Sequence, residues 1–459
     1  MNIWSGIKAG GVAAVAAAAI SLLLPGNVWA QGKKFEGVTI TYGAPLNAPT
    51  RNIMKFLDQF KEETGITVVV EGMSNDDLNA RLTVESVAKT GFFDLIRVSP
   101  NWISRLKEAG WIVPLDDRIA NSDIDLDDFF ESALNVLSRI PGDDTIWAMP
   151  LDANTGMLAY RTDLFNDPKE KAAFKKKYGY DLAPPTDTDQ WLEMAEFFTR
   201  DTNGDGEINL FGLGVGQKSG GPAFIWSLGP FWSFGGEIMN EETKEILVNS
   251  PAAVAGMKWQ LAMQKFQPKS SLAWGIYDNV GPMQAGRLAM SVQLFSFTKD
   301  LLDPEKSEFH DRIAFTTLPV AKGNDRGYTT GKYVFGGGGV VLHADSENKD
   351  AAFEFLSWMF GKERAPEYAI AGTLVPRKSV MENPAVLESS PAFKKTLPVF
   401  LASLKTVAKG RPSLPESSQL LRELSAAWHS VALGKATPEE ALAKAQSNME
   451  IIIEDAGYN

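Results

Sequence analysis

The apolar positions of this chain switch between two periods. Residues 37–42 (GVTITY) alternate apolar and polar side chains as a strand does, and Ile53, Phe56, Leu57 and Phe60 then recur at helical spacing. A β-branched run at 66–70 predicts a second strand, 76–88 a helix, 93–98 a third strand and 103–109 another helix. Strands that alternate with helices in this way predict parallel α/β layering. Ligand loops in such sheets lie beyond the carboxyl ends of the strands, here at 43–50 and 99–102. Further on, Trp191, Met194, Ala195 and Phe198 mark a helix, 288–292 and 339–342 read as strands, and the tail is mostly helical. The last helix has a complete start signal: Thr437 as cap, Pro438 in the first position and Glu440 closing a capping box.

The amino-terminal segment has a different pattern. A short start carrying Lys8 leads into an apolar run at 9–24, and Val28-Trp29-Ala30 forms a small-residue cleavage site before Gln31. That order predicts a secretory signal over residues 1–30. The run is shorter than the roughly 20 residues needed to span a bilayer, and Pro25-Gly26 breaks it. The chain has no cysteine, so the mature protein holds together without disulfides and has no lipid-attachment site. The expected location is therefore the periplasm, with a soluble chain of about 429 residues divided into two domains. The formal net charge of −12, one unit more negative after loss of Lys8, argues against nucleic acid or an anionic membrane as partner.

Several segments, taken in order, resemble the family 1 extracellular solute-binding proteins of ABC transporters, the group of the maltose- and glycerol-phosphate-binding proteins. They are MPLDAN at 149–154 running into LAYRTDLF at 158–165, PPT at 184–186 with Trp191-Leu192, MQAGRLAM at 283–290, and the glycine run and strand at 336–342 followed by NKDAAFEFL at 348–356. TLVPRKS at 373–379 and GKATPEEAL at 434–442 complete the series. The resemblance implies an α/β, periplasmic-binding-protein-like fold of two discontinuous lobes joined by a hinge, with a ligand cleft between them. It divides the chain into an N-terminal lobe of 31–148 plus 282–343 and a C-terminal lobe of 150–281 plus 344–459. Closure around a carbohydrate, with delivery to membrane permease subunits, is the implied function, and the protein is expected to be a monomer and not an enzyme.

A sugar site needs carboxylates, amides and aromatic platforms together. Asn47 on the first strand-end loop and Ser99, Asn101 and Trp102 on another are candidates, with core packing an equal reading for Trp102. The resemblance adds Asp152 and Asn154 beside the lobe crossing, Phe295 and Ser296 where the family supplies an aromatic platform, and Tyr333, Gly336 and Arg377 near the last cleft strand and tail. Replacement of Asp152 by Ala is expected to weaken binding without unfolding the protein. Gln217 and Ser219 form a polar loop before the aromatic run Phe224, Trp226, Phe231, Trp232 and Phe234, most of which core packing explains. Arg377 serves either an acidic ligand group or a structural ion pair.

The four glycines from Gly336 are not a phosphate loop, because no hydroxyl residue follows Lys332; close backbone approach accounts for them. Asp201, Asn203, Asp205, Glu207 and Asn209 match the first positions of a calcium loop, but Gly212 stands where the bidentate Glu belongs. A solvated acidic turn is preferred to structural calcium. The three histidines, His310, His343 and His429, fall in no metal or nucleophile motif. The alternatives to a sugar receptor are a binding protein for a glycerophosphodiester or polyamine, or an exported carbohydrate-active enzyme using two carboxylates.

Overall fold

The computed structural model describes residues 33–323, 331, 335–406 and 411–458. The predicted signal at 1–30, Tyr333 and the Phe224 side chain lie outside what it describes. Among the described residues the strands are β1 (Thr39–Pro45), β2 (Thr67–Met73), β3 (Leu95–Val98), β4 (Met149–Asn154), β5 (Gly156–Arg161), β6 (Phe211–Gly214), β7 (Leu288–Leu294), β8 (Ile313–Thr316) and β9 (Gly336–Leu342). They form two sheets, β2-β1-β3-β9-β4 and β6-β7-β5-β8, each packed between helices as an α/β lobe.

In the first sheet β1 pairs in parallel with β2 and β3, as the strand and helix alternation requires. Ile40, Tyr42 and Ala44 of β1 are fully buried, and Phe355 of the helix Lys349–Met359 packs against both Tyr42 and Phe60. β9, which lies outside that alternation, runs antiparallel to β3 and β4. The preceding strand β8 lies in the other sheet, so β9 is not the second strand of a parallel βαβ unit and the right-handed crossover rule does not constrain it.

Thr155 alone separates β4 from β5, so the first crossing between lobes lies there and not near residue 149. Along β5, Met157 and Ala159 join one core while Leu158 joins the other, because successive strand side chains point to opposite faces. The predicted boundaries need two corrections. Residues 288–294 pair with β5 and β6, which places them in the second lobe, not the first. Conversely, the helices Lys349–Met359 and Ala365–Ala371 pack with the first sheet's core, whereas Pro391–Thr406 packs on β5 and β8, and Ser417–Ala432 and Pro438–Asp455 lie in the second core. Apolar periodicity records that a face is buried but not against which sheet. The last helix begins as its sequence specifies, with the Thr437–Glu440 capping box formed.

The glycine run is a place of close approach. Gly337 has φ +115°, and a Cβ there would fall 1.8 Å from the Asp152 carbonyl oxygen; at Gly338 it would meet the Arg97 guanidinium carbon at 2.6 Å. The bare backbone lets β9 pass over the Asp152 main chain and the Arg97 side chain.

Beneath β9, His343 is buried. Its Nδ1 accepts from the Asp345 N–H at 3.2 Å, so Nε2 carries the proton and donates to Ser86 Oγ at 2.8 Å. Burial pushes the imidazole below its ordinary value of 6.5. The unfolded chain therefore takes up this proton first. Stability from the neutral ring is complete above pH 6.5 and is lost as pH falls toward the lower folded value, with a slope of at most about 1.4 kcal/mol per pH unit. Urea titrations between pH 7.5 and 5 are expected to show this loss in the wild type and a shallower one in His343→Gln; equal slopes would remove His343 as the cause.

Candidate functional site

A cavity of about 310 Å³ lies between the two sheets. The first lobe gives it a polar wall. Arg97 comes from β3, Asp152 and Asn154 from β4, Gly336 and Gly337 from the start of β9, and Asn47 and Arg51 from the helix entry after β1. The second lobe gives it an apolar and aromatic wall of Ile225, Ile276, Leu294, Tyr277 and Phe297, with Ser296, Asp300 and Arg411 at its edges.

Each polar group is held by its neighbours. Arg97 donates to Asp152 Oδ1 through Nη2 at 2.9 Å and Nε at 3.3 Å, and both side chains are almost wholly buried. Asn47 caps the helix Ala48–Met54, its Oδ1 accepting from the Thr50 N–H at 3.2 Å. The same residue thus orders the loop and faces the cavity. Asn154 Nδ2 donates to Ser296 Oγ at 2.9 Å, a bond that joins the two walls of the cavity. Opposite, the rings of Tyr277 and Phe297 lie 4.2 Å apart, centroid to centroid. Carboxylate, amide, hydroxyl and guanidinium groups on one side with aromatic faces on the other suit a small polyhydroxylated solute, whose C–H and O–H groups face different ways.

Of the predicted residues, Asn47, Asp152, Asn154, Ser296 and Gly336 line this cavity. The others have different places. Trp102 is buried in the core beside Leu106 and Val98. Ser99 is buried and accepts from Asn75 Nδ2 at 3.1 Å. Phe295 turns away from the cavity to pack on Phe393 and Phe400, because the short turn Phe295–Phe297 sends alternate rings in opposite directions; Phe297 takes the platform position. Gln217 belongs to an internal network, donating to Gln267 Oε1 at 3.2 Å and Ser271 Oγ at 2.8 Å, and Ser219 is exposed outside the cavity lining. Arg377 is fully buried and pairs with Asp128 at 2.6 Å, a structural role. Asn101 stands just behind the lining, accepting from Arg411 Nη1 at 2.9 Å.

Sequence reasoning missed Arg51, Arg97, Tyr277, Phe297, Asp300 and Arg411. Arg97 had a signal, since a lone charge inside the apolar strand Leu95–Val98 requires a buried partner. Arg51 and Asp300 lie on short helices and the others on turns or loops, whose facing is decided by tertiary packing.

In the Asp201 loop the side-chain oxygens are used by the loop itself. Asp201 Oδ1 accepts from the N–H groups of Asn203 and Gly204, its Oδ2 from Gly206, and Asp205 Oδ1 from Glu207, all within 2.9 Å. These N–H groups hold the Asp201 carboxyl below the usual range. Among the described residues no group of three or more His, Asp or Glu side chains is placed to hold a metal ion. An open groove of about 950 Å³ beside the helix Lys349–Met359 is larger than the interlobe cavity. It is lined mainly by charged residues, among them Arg118 and Asp350, which pair with each other at 2.7 Å.

The model of the bacterial extracellular solute-binding protein family matches residues 43–366. Among curated proteins, the mannitol-binding protein of Pseudomonas aeruginosa is 24% identical over 468 aligned residues, covering 96% of this chain and 98% of its own. A probable amino-acid ABC transporter periplasmic-binding protein of Sinorhizobium fredii is 22% identical, covering 93% of this chain and 92% of its own. Among solved structures, an ABC transporter solute-binding protein of Agrobacterium radiobacter in complex with ribitol is 26% identical. It superposes with a TM-score of 0.78, covering 92% of this chain and 100% of its own. One from Agrobacterium vitis with bound D-mannitol gives 0.72 at 20% identity, covering 91% of this chain and 99% of its own.

Proposed function

The chain belongs to the bacterial extracellular solute-binding proteins, and from that premise we propose that it captures a monosaccharide or polyol in the interlobe cavity and delivers it to the permease of an ABC importer. The observation that carries this reading is the opposition of the Arg97–Asp152–Asn154 wall to the Tyr277–Phe297 pair across a cavity of about 310 Å³. Asp152 and Asn154 accept from or donate to hydroxyl groups, Arg97 orients Asp152, and the two rings cover the carbon skeleton. The similarity to proteins named or solved with mannitol and ribitol supports the same solute class. Export by the 1–30 signal places the receptor in the periplasm. Among the described residues no helix is long and apolar enough to cross a membrane. The ligand favours the closed arrangement because only there does it touch both walls.

A cationic polyamine fits poorly, since Arg51, Arg97 and Arg411 all face the cavity. Those same arginines keep a phosphodiester as the second reading. A thermal-shift screen of the purified mature protein against ribitol, mannitol, glucose, maltose, glycerophosphodiesters and spermidine separates the two. A ligand at one hundred times its Kd adds about 2.7 kcal/mol of stability, a clear rise in melting temperature. The expected result is a shift with a polyol or monosaccharide; a shift with phosphodiester alone would replace the carbohydrate reading.

A further inference from the structure

The space between the lobes holds a second cavity of about 380 Å³, bounded by Pro100, Asn135, Arg139 and Asp144 on one side and Glu241 and Ser413 on the other. Arg411 lines both this cavity and the candidate ligand cavity. Its placement is built from both lobes. Arg411 Nη1 donates to Asn101 Oδ1 at 2.9 Å, and Asn101 Nδ2 donates to Ser418 Oγ at 3.0 Å. Asn101 lies in the short turn Pro100–Trp102 that follows β3 in the first lobe, while Ser418 lies in the helix Ser417–Ala432 of the second core. Burial and the nearby Arg97 bring the Arg411 guanidinium down to about 10, so it keeps its charge at neutral pH.

We propose that Arg411 is a specificity-determining partition: it closes the ligand cavity at the length of a single sugar or polyol unit and separates it from a second compartment that would otherwise accept the next unit of an oligosaccharide. This rests on the carbohydrate reading above. A cavity of about 310 Å³ stands at the low end of the roughly 300–1,000 Å³ range of small-molecule sites, whereas the two compartments joined fall well inside it. Both spaces exist with Arg411 in place and share it as a lining residue, so shortening its side chain is expected to connect them.

Calorimetric titration of the mature wild type, Arg411→Ala and Arg411→Lys with ribitol, mannitol, glucose, maltose and maltotriose tests it. The wild type is expected to bind at least one single-unit probe and to bind maltose and maltotriose at least about a hundredfold more weakly. In Arg411→Ala the affinity for maltose or maltotriose itself rises about tenfold or more, while Arg411→Lys, which keeps a long charged side chain, stays close to wild type. Should Arg411→Ala fail to fold, Asn101→Ala removes the hydrogen bond from Arg411 to Asn101 Oδ1 and is expected to raise oligosaccharide affinity in the same direction. Wild-type protein that binds maltotriose as well as a single unit overturns the partition. So does a folded variant with no gain for either oligosaccharide, although single-unit binding by the wild type would leave the carbohydrate reading standing. Wild-type protein that binds none of the five probes removes that reading, and the partition with it.

Discussion

Asp152→Ala is expected to cost about 3–5 kcal/mol of folding stability in addition to ligand capture, because it strands the Arg97 guanidinium in the interior. The sequence suggested a residue whose replacement weakens binding without unfolding the protein. The structure adds a stability cost, since Arg97 and Asp152 lie against each other at 2.9 Å with side chains 7% and 11% exposed. Water can replace little of the lost carboxylate there. A second variant separates stability from binding: Arg97→Met with Asp152→Ala removes both charges and fills much of the volume, so folding stability should return to within about 1–2 kcal/mol of wild type. Ligand binding should stay lost in both proteins. Urea midpoints together with calorimetry measure the two effects. A single Asp152→Ala variant as stable as wild type would mean that solvent reaches Arg97, and wild-type affinity in either variant would remove the pair from the site.

The second large effect belongs to a residue outside the cavity. Arg377→Met should destabilise the protein by about 3–5 kcal/mol and leave ligand affinity within about twofold of wild type. Arg377 has no exposed side-chain surface. It pairs with Asp128 at 2.6 Å, donates to the Phe360 carbonyl and lies over the Phe129 ring with the guanidinium carbon 4.7 Å from its centroid. Its partner is equally committed, with Asp128 also accepting from the Ser379 N–H at 2.9 Å and the Ser379 hydroxyl. Burial pushes the Asp128 carboxyl up, and the hydrogen bonds from Ser379 and Arg377 more than reverse that, holding it below its ordinary range. A depressed carboxyl contributes its full stability above the ordinary Asp range and loses it as pH falls through the lower folded value. Wild-type protein should accordingly lose stability in acid more steeply than Arg377→Met. A large fall in affinity in a folded Arg377→Met protein would return this residue to the ligand site.

The sequence by itself determined the local elements and their chemistry. The alternating stretch at 37–42 and the β-branched run at 66–70 fall in paired strands because their side chains fit a pleated surface, and Thr437 to Glu440 begins a helix because its cap is satisfied within four residues. The order of short motifs was enough to identify two lobes and a cleft, and to mark Asn47, Asp152, Asn154, Ser296 and Gly336 beside it.

Only the tertiary structure decided which lobe each element joins and which side of a turn faces the ligand. Residues 288–294 carry the same apolar signal whichever sheet they enter, and it is pairing with β5 that places them in the second lobe. Phe295 and Phe297 are the same residue type two positions apart, yet one fills the core against Phe400 and the other faces Tyr277. Arg377 and Arg411 are both arginines of the carboxyl-terminal third; one is enclosed with Asp128, the other stands between two cavities. Local pattern fixes hydrogen bonding and the burial of a face, which depend on neighbours within a few residues. The partner of that face depends on contacts hundreds of residues away, and no period in the chain encodes them.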